Sequence, residues 1–284
     1  MITLSRRAQA IHGEFVKIDG EWQEKLAAIG IKSGLHWLAL EDGDVVATGG
    51  VKRSVNRCYR ITLDCGQVIY FKRYFYRKPK PQFWMMPSKA VIEAWGYQQL
   101  RGMELTTPDV IAYGEFRKFG RLYSAFIVSL EVPNTVDMEQ FARDTWYDMP
   151  EPKRSQTYLQ ISESILKQLK IAHENNFCHK DLKWRNILIQ ESPGGYTTTW
   201  IDCPRASIMR FRTKRKILLD IGALARLAMS YIPVREQFRW LQRYVEVTQC
   251  PYTARELFTA TQRFLRSRQP KPLPVTKKHI TRNG

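Results

Sequence analysis

The 284-residue chain carries 45 Lys+Arg against 27 Asp+Glu, a formal net charge of +18, and 44% hydrophobic residues. That apolar share excludes wholesale disorder, and no run approaches the ~18 uninterrupted apolar residues of a membrane-spanning helix. The positive surplus demands an anionic partner, whether nucleic acid, acidic membrane or phosphorylated substrate, and charge alone does not choose among them.

The opening residues, MITLSRRAQAIHGEF, hold bases with no apolar run behind them, so no secretory signal is expected. Cys58, Cys65, Cys178, Cys203 and Cys250 make an odd count without a C-x-x-C pair. This argues against a disulfide framework or a zinc ribbon and for a reducing cytosol. After a short leader the chain reads as strand-rich to about residue 115. Residues 45–50 (VVATGG) and 57–76 (RCYRITLDCGQVIYFKRYFY) are strands, with a turn at Asp64-Cys65-Gly66-Gln67. Residues 88–101 read as a helix capped by Ser88. Beyond Pro108, DVIAYGEF and RLYSAFIVSLEV read as two more strands. From Val136 the pattern turns helical. Ile161, Ile165, Leu169 and Ala172 recur at helical spacing, as do Ile217, Ile221, Leu224 and Ala228 in a second helix. A polar loop and the strands NILI and TTTWID lie between them. A small sheet with one helix, followed by a mostly helical half, predicts an α+β fold of two lobes with ligands at their junction.

The polar loop carries the chemistry. His179-Lys180-Asp181-Leu182-Lys183-Trp184-Arg185-Asn186 fits the H-R-D-x-x-x-x-N pattern of a kinase catalytic loop, with Lys in the second place. Asp181 can accept or orient the proton of an attacking hydroxyl. Asn186 can reach back across the loop to a metal ion, and Lys183 can neutralise charge on a transferred phosphoryl group. A second metal carboxylate belongs at the end of a following strand, and Asp202 stands there, 21 residues after Asp181. That distance leaves room for a hairpin turning at Gly194-Gly195. Cys203-Pro204 follows in place of the usual Phe-Gly, and the proline stiffens the loop against flipping.

Upstream, a strand lysine and a helix glutamate should hold the phosphates of ATP. Strand alternation puts Val68, Tyr70 and Lys72 on one face, with Arg73 a competing choice, since a lone strand lysine is usually a solvated edge charge. Glu93, on the predicted helix, is the natural pair for Lys72. Gly49-Gly50 precedes Lys72 at about the distance of a phosphate-covering loop, although G-x-G-x-x-G is absent. The Gly pair also fits an ordinary turn, and residues 52–57 (KRSVNR) could form the hairpin tip instead. No zinc-like ligand set surrounds His173 and His179. His179 reads as a brace of the loop, and His173 as the end of its helix, where a polar ring suits the C-terminal dipole. Trp184 and Trp200 flank the proposed site and fit core packing or a lid as well as substrate stacking.

Taken together, VIYFKRYFY, AVIEAWGYQQL, FIVSLEVPNTVDMEQF, HENNFCHKDLKWRNILI, WIDCPRA and KILLDIGALARLA resemble the bacterial lipopolysaccharide-core sugar kinases, the Kdo and heptose kinase group. The resemblance covers about residues 45–230 and implies a bilobal protein-kinase-like fold with ATP and Mg2+ as cofactors. It implies Asp181 as the catalytic aspartate, assisted by Lys183, and Asn186 and Asp202 as magnesium ligands. Lys72 with Glu93 would hold the nucleotide phosphates, and Gly49 and Gly50, by their distance before Lys72, are the candidates to cover them. Residues 129–132, from Ser129 to Val132, would be the hinge to adenine, and Asp220 would brace the catalytic loop. The implied division is a nucleotide-binding lobe over 1–130, a helical catalytic lobe over 131–262 and a basic tail over 263–284.

The implied acceptor is an anionic glycolipid, the lipopolysaccharide core. The enzyme would then be cytoplasmic and peripheral at the anionic inner-membrane surface, with no nucleic acid as partner. A protein or small-molecule kinase of the same fold is the alternative, although the short stretch after Asp202 lacks Ala-Pro-Glu. A basic nucleic-acid-binding protein or pseudokinase is the non-enzymatic reading. The charge sits in three acid-free runs, residues 72–80, 205–216 and 263–284, with five, six and seven bases, and the rest of the chain is neutral. The first two are expected to border the cleft and the third to be a dispensable tether.

Overall fold

The structure, a computed structural model, describes residues 5–40, 43–51, 54–77, 83–210 and 214–267. Its N-terminal part is a six-stranded antiparallel sheet built from β1 (Gly13–Ile18), β2 (Asp44–Val51), β3 (Ser54–Thr62), β4 (Val68–Tyr76), β5 (Val110–Lys118) and β6 (Arg121–Leu130). Their spatial order is β1-β5-β6-β4-β3-β2. The expected turn between β3 and β4 forms at Gly66, whose φ of 78° suits glycine, and Leu63 and Gln67 close it by a backbone hydrogen bond of 2.8 Å. The leader is not featureless. β1 pairs along the outer edge of β5, and a short helix, α1 (Gln23–Ala28), follows it.

Helix α2 (Lys89–Gly102) begins where expected, with the Ser88 side chain accepting from the Val91 N–H at 3.2 Å. The sheet has a core on each face. Trp37, Phe71 and Phe126 pack on one side, while Tyr74, Ala90, Val91 and Trp95 belong to a larger cluster that continues into the helical half.

That half comprises β7 (Val136–Asp137), α3 (Met138–Phe141), α4 (Lys153–Glu174), β8 (Phe177–Cys178), β9 (Ile187–Ser192), β10 (Gly195–Trp200) and β11 (Ser207–Ile208). It ends in α5 (Lys214–Tyr231), α6 (Val234–Thr248) and α7 (Ala254–Arg266). Ile161, Ile165, Leu169 and Ala172 are buried on α4, and Ile217, Ile221 and Leu224 on α5, as their spacing requires. β9 and β10 form the hairpin around Gly194-Gly195, with Gly195 opposite Ser192. This antiparallel sheet with one long helix, followed by a mostly helical region, is the α+β, protein-kinase-like architecture.

One close approach ties the two parts together. A Cβ on Gly96 of α2 would lie 2.5 Å from the Cys203 sulfur and 3.3 Å from the Ala206 Cβ. Gly96→Leu should therefore push α2 off the 203–206 segment and destabilise the chain by about 1–3 kcal/mol, read by urea unfolding. An unchanged midpoint would show that the segment yields freely.

Candidate active site

Lys72 lies in the middle of β4, paired with Cys58 of β3 and Ile127 of β6. Alternation turns it toward α2, where its Nζ meets the Glu93 carboxylate at 3.3 and 3.2 Å and also bonds Asp202 Oδ1. Arg73 points to the other face, buried, donating to the carbonyls of Trp37 and Leu38 at 3.2 and 2.5 Å. The choice between the two bases is thus settled by which side α2 covers. It also removes Arg73 from any basic border of the cleft, contrary to expectation for the first charged run.

Glu93 is buried with further partners: Tyr74 donates its hydroxyl at 2.6 Å and Tyr97 at 3.3 Å. The Tyr97 oxygen also accepts the Asp202 N–H at 2.8 Å, so one hydroxyl links the helix glutamate to the Asp202 backbone. Asp202 needs that support, because its φ of 59° is a left-handed conformation uncommon outside glycine. Burial would lower the Lys72 pKa, but Asp202 and Glu93 outweigh it and hold the ammonium charged. Burial works to raise Asp202, and the Lys72 charge and hydrogen bond outweigh it, keeping the carboxyl below its usual range. For Glu93 burial prevails and its pKa rises.

Tyr74 and Tyr97 escaped sequence reasoning, although Tyr74 is two strand positions from Lys72 and Tyr97 one helical turn from Glu93. Tyr97→Phe should cost about 1–3 kcal/mol by stranding the Asp202 N–H, while the Glu93 oxygen it leaves keeps Lys72 as donor. Chemical denaturation measures this, and an unchanged stability would show the link to be idle.

The catalytic-loop candidate is held from three sides. Asp220, buried on α5, accepts the N–H groups of His179 at 3.1 Å and Lys180 at 2.6 Å. Lys180 adopts a φ of 66° there. Burial lowers the His179 pKa, so the ring is neutral. Its Nε2–H donates to the Ile201 carbonyl at 3.1 Å, and its Nδ1 accepts the Asp181 N–H at 3.3 Å. The Asn186 amide nitrogen donates to the Asp181 carbonyl at 2.7 Å, which leaves its oxygen as a ligand atom. Lys183 Nζ stands 2.7 Å from Asp181 Oδ1. The Ile201 N–H donates to the Asn186 carbonyl, which joins the loop to the strand end that carries Asp202.

His173 does more than end its helix. It is fully buried, bonded to the Tyr244 hydroxyl at 2.7 Å and to Asp220 at 3.3 Å, so it orients the brace of the loop. Trp184 and Trp200 are core residues.

Gly49 and Gly50 stand in β2 opposite Asn56 and Val55, next to the β2–β3 turn. The turn residues, Lys52 and Arg53, lie outside the described residues. Ser129 is in β6 opposite Tyr70, and the Val132 carbonyl, just beyond that strand, accepts from Thr135 at 2.7 Å. In the second charged run Arg205 is exposed close after Asp202, while Lys214 pairs with Glu256 at 2.9 Å. Most of the third run lies outside the described residues.

Magnesium commonly takes one or two protein oxygens beside substrate phosphates and water. The Asp202 carboxylate and the Asn186 amide oxygen fit that requirement. They are hard donors, with no cysteine or histidine needed to complete the set.

Comparison with known proteins agrees with this geometry. Over 165 residues the chain is 26% identical to the lipopolysaccharide core heptose(I) kinase WaaP of Pseudomonas aeruginosa, an alignment covering 56% of this chain and 60% of that relative. The chain thus spans less than two thirds of the length of that relative. A solved structure described as WaaP in complex with acyl carrier protein superposes with a TM-score of 0.66 at 20% identity, over 89% of this chain and 98% of that one, a likeness of fold. Residues 70–246, more than half of the chain, match the lipopolysaccharide kinase (Kdo/WaaP) family. They take in every residue of the Lys72, Glu93, Asp181, Asn186, Asp202 and Asp220 set, and the chain belongs to that family of phosphotransferases.

Proposed function

We propose that the chain is an ATP- and magnesium-dependent kinase that phosphorylates a heptose or Kdo hydroxyl of the lipopolysaccharide inner core. The observation that carries this is the convergence of Lys72, Glu93 and Asp202 beside a loop in which Asp181 and Asn186 are held by backbone bonds. When bound, ATP supplies the phosphoryl group and magnesium neutralises its charge. Lys72, fixed by Glu93, holds the nucleotide phosphates, and Asn186 and Asp202 hold the metal. Asp181 orients the acceptor hydroxyl and takes its proton, and Lys183 offsets charge on the moving group. Gly49 and Gly50 cover the phosphates, residues 129–132 meet adenine, and the nucleotide-binding and catalytic lobes divide near residue 130.

Purified protein with labelled ATP should label core oligosaccharide and leave generic protein substrates unlabelled. Transfer to protein alone would replace the acceptor, and transfer to neither would overturn the assignment.

A separate observation favours a second partner. Ile161, Ile165, Leu224, Ala228, Trp240 and Leu241 line an apolar cavity of about 110 Å³ among α4, α5 and α6. Such an apolar lining suits the terminal methylenes of an acyl chain, and the structural neighbour is a complex with acyl carrier protein. Ala228→Trp, which fills the cavity, should weaken capture of acylated carrier protein and leave the unacylated form unaffected.

A further inference from the structure

Large apolar side chains are exposed unevenly. Among the described residues the only exposed tryptophan and phenylalanine are Trp84 and Phe119, at 49% and 77% accessibility, and they sit beside Met85, Met86 and Ile11, at 54%, 54% and 65%. Three separate stretches bring them together. The Met85 N–H donates to the Gly120 carbonyl at 3.1 Å, the Gly120 N–H to the Ile11 carbonyl at 2.6 Å, and Trp84 forms a β-bridge with Arg121. The His12 and Phe119 rings meet edge to face at 4.8 Å.

The cluster is held from beneath. The Arg117 guanidinium, with no exposed surface, bonds Glu115 at 2.7 and 3.1 Å, the Met86 carbonyl at 2.6 Å and the Gly120 carbonyl at 3.1 Å. Met85 and Phe119 have φ values of 53° and 48°, a conformation that persists in such residues only when the surroundings enforce it. A buried ion pair and two strained residues thus present apolar side chains to water, where they gain nothing for the fold.

Charge selects the partner. The described parts of the contributing stretches, residues 5–13, 76–77, 83–92 and 116–130, contain two, one, one and three lysines and arginines and no aspartate or glutamate, and of these Arg117 is neutralised by Glu115. Lys118 and Arg77 are exposed, and Arg121 lies over the Tyr123 ring at 4.5 Å. By register the cluster is at the end of the sheet that carries the β2–β3 turn, since Ser54 pairs with Tyr76 and Phe75 with Ser124.

We propose that Ile11, Trp84, Met85, Met86 and Phe119 form a membrane-docking knuckle that enters the headgroup layer of an anionic bilayer, with Arg77, Lys118 and Arg121 against its phosphates. Tryptophan and phenylalanine tips ringed by bases favour the interface between water and lipid. The basic side chains of Arg77, Lys118 and Arg121 add attraction to an acidic leaflet. The argument uses no catalytic residue, and only its consequence for an acceptor rests on the kinase reading. Docked in this way, the sheet end next to the β2–β3 turn faces the lipid, and an acceptor anchored there need not leave the bilayer to reach the cleft.

The test is co-sedimentation of the full chain with vesicles of phosphatidylcholine alone or mixed with phosphatidylglycerol, near physiological salt. Wild type should bind the mixed vesicles, and the double variant Trp84→Ser/Phe119→Ser should bind at least ~10-fold more weakly with an unchanged melting temperature. Lys118→Glu should reduce binding to the mixed vesicles only. A blue shift of tryptophan emission on binding should be largely lost in Trp84→Phe. Equal binding by wild type and double variant would overturn the proposal, as would no binding by wild type. A wild-type dimer that the double variant dissociates, without vesicle binding, would overturn it in favour of a second copy as the occupant.

Discussion

Asp181→Asn is expected to lower the phosphotransfer rate by roughly two to four orders of magnitude while the apparent affinity for nucleotide stays within a few-fold. The loop geometry does not depend on the carboxylate. His179 and Asn186 hold the Asp181 backbone N–H and carbonyl, at 3.3 and 2.7 Å, and Asp220 holds the two residues before it. What the substitution removes is the proposed acceptor for the sugar hydroxyl proton and the negative partner of Lys183, at 2.7 Å. Steady-state kinetics on core oligosaccharide, with a melting curve, separate the effects. A near wild-type rate in Asp181→Asn would remove Asp181 from the mechanism, and a rise in KM alone would assign it to binding.

Asp220→Ala is expected to cost about 3–5 kcal/mol, because a buried acceptor is lost while its donors remain buried. The N–H groups of His179 and Lys180 and the His173 ring all depend on this carboxylate. Asp220→Asn should recover part of the stability by keeping one carbonyl oxygen. Acid denaturation distinguishes the charge from the hydrogen bonds. Burial tends to raise the Asp220 pKa, but His173, His179 and the Lys180 N–H outweigh it and hold it below the ordinary value. A carboxyl depressed in the folded state contributes its stability above the unfolded pKa of about 3.9 and loses it as pH falls through the native value. The wild-type unfolding free energy should therefore drop below about pH 4, and Asp220→Asn should show a shallower drop. Parallel curves would mean that Asp220 makes no charge-dependent contribution.

The family members of the site were legible because each is written in local pattern. Asp181 and Asn186 share one loop, Asp202 ends a strand, and Glu93 sits on a helix with a recognisable cap. Pattern of this kind is short-range chemistry, and it survives without knowledge of the fold. The elements with weak local signal were not legible. β1 has few alternating apolar residues, and its strand character comes from pairing with β5. His173 looked like a helix end because its position in sequence is one, while its burial comes from Tyr244 of α6 and Asp220 of α5.

By itself, the sequence determined the chemical inventory and its order: a strand base, a helix acid, a polar loop with an aspartate and an asparagine, and a strand-end carboxylate, with the periodicities that place each on its element. Tertiary structure alone decided which neighbour won. Lys72 faces Glu93 and Arg73 does not because α2 packs on one side of β4. Tyr74 and Tyr97 join the site because their hydroxyls reach a carboxylate buried between strand and helix. Trp84 and Phe119 become one surface only where the β4–α2 connection meets the β5–β6 turn. The +18 of the whole chain carries no such address, since a sum of charges has no direction, whereas a folded backbone gives each charge a neighbour and a side.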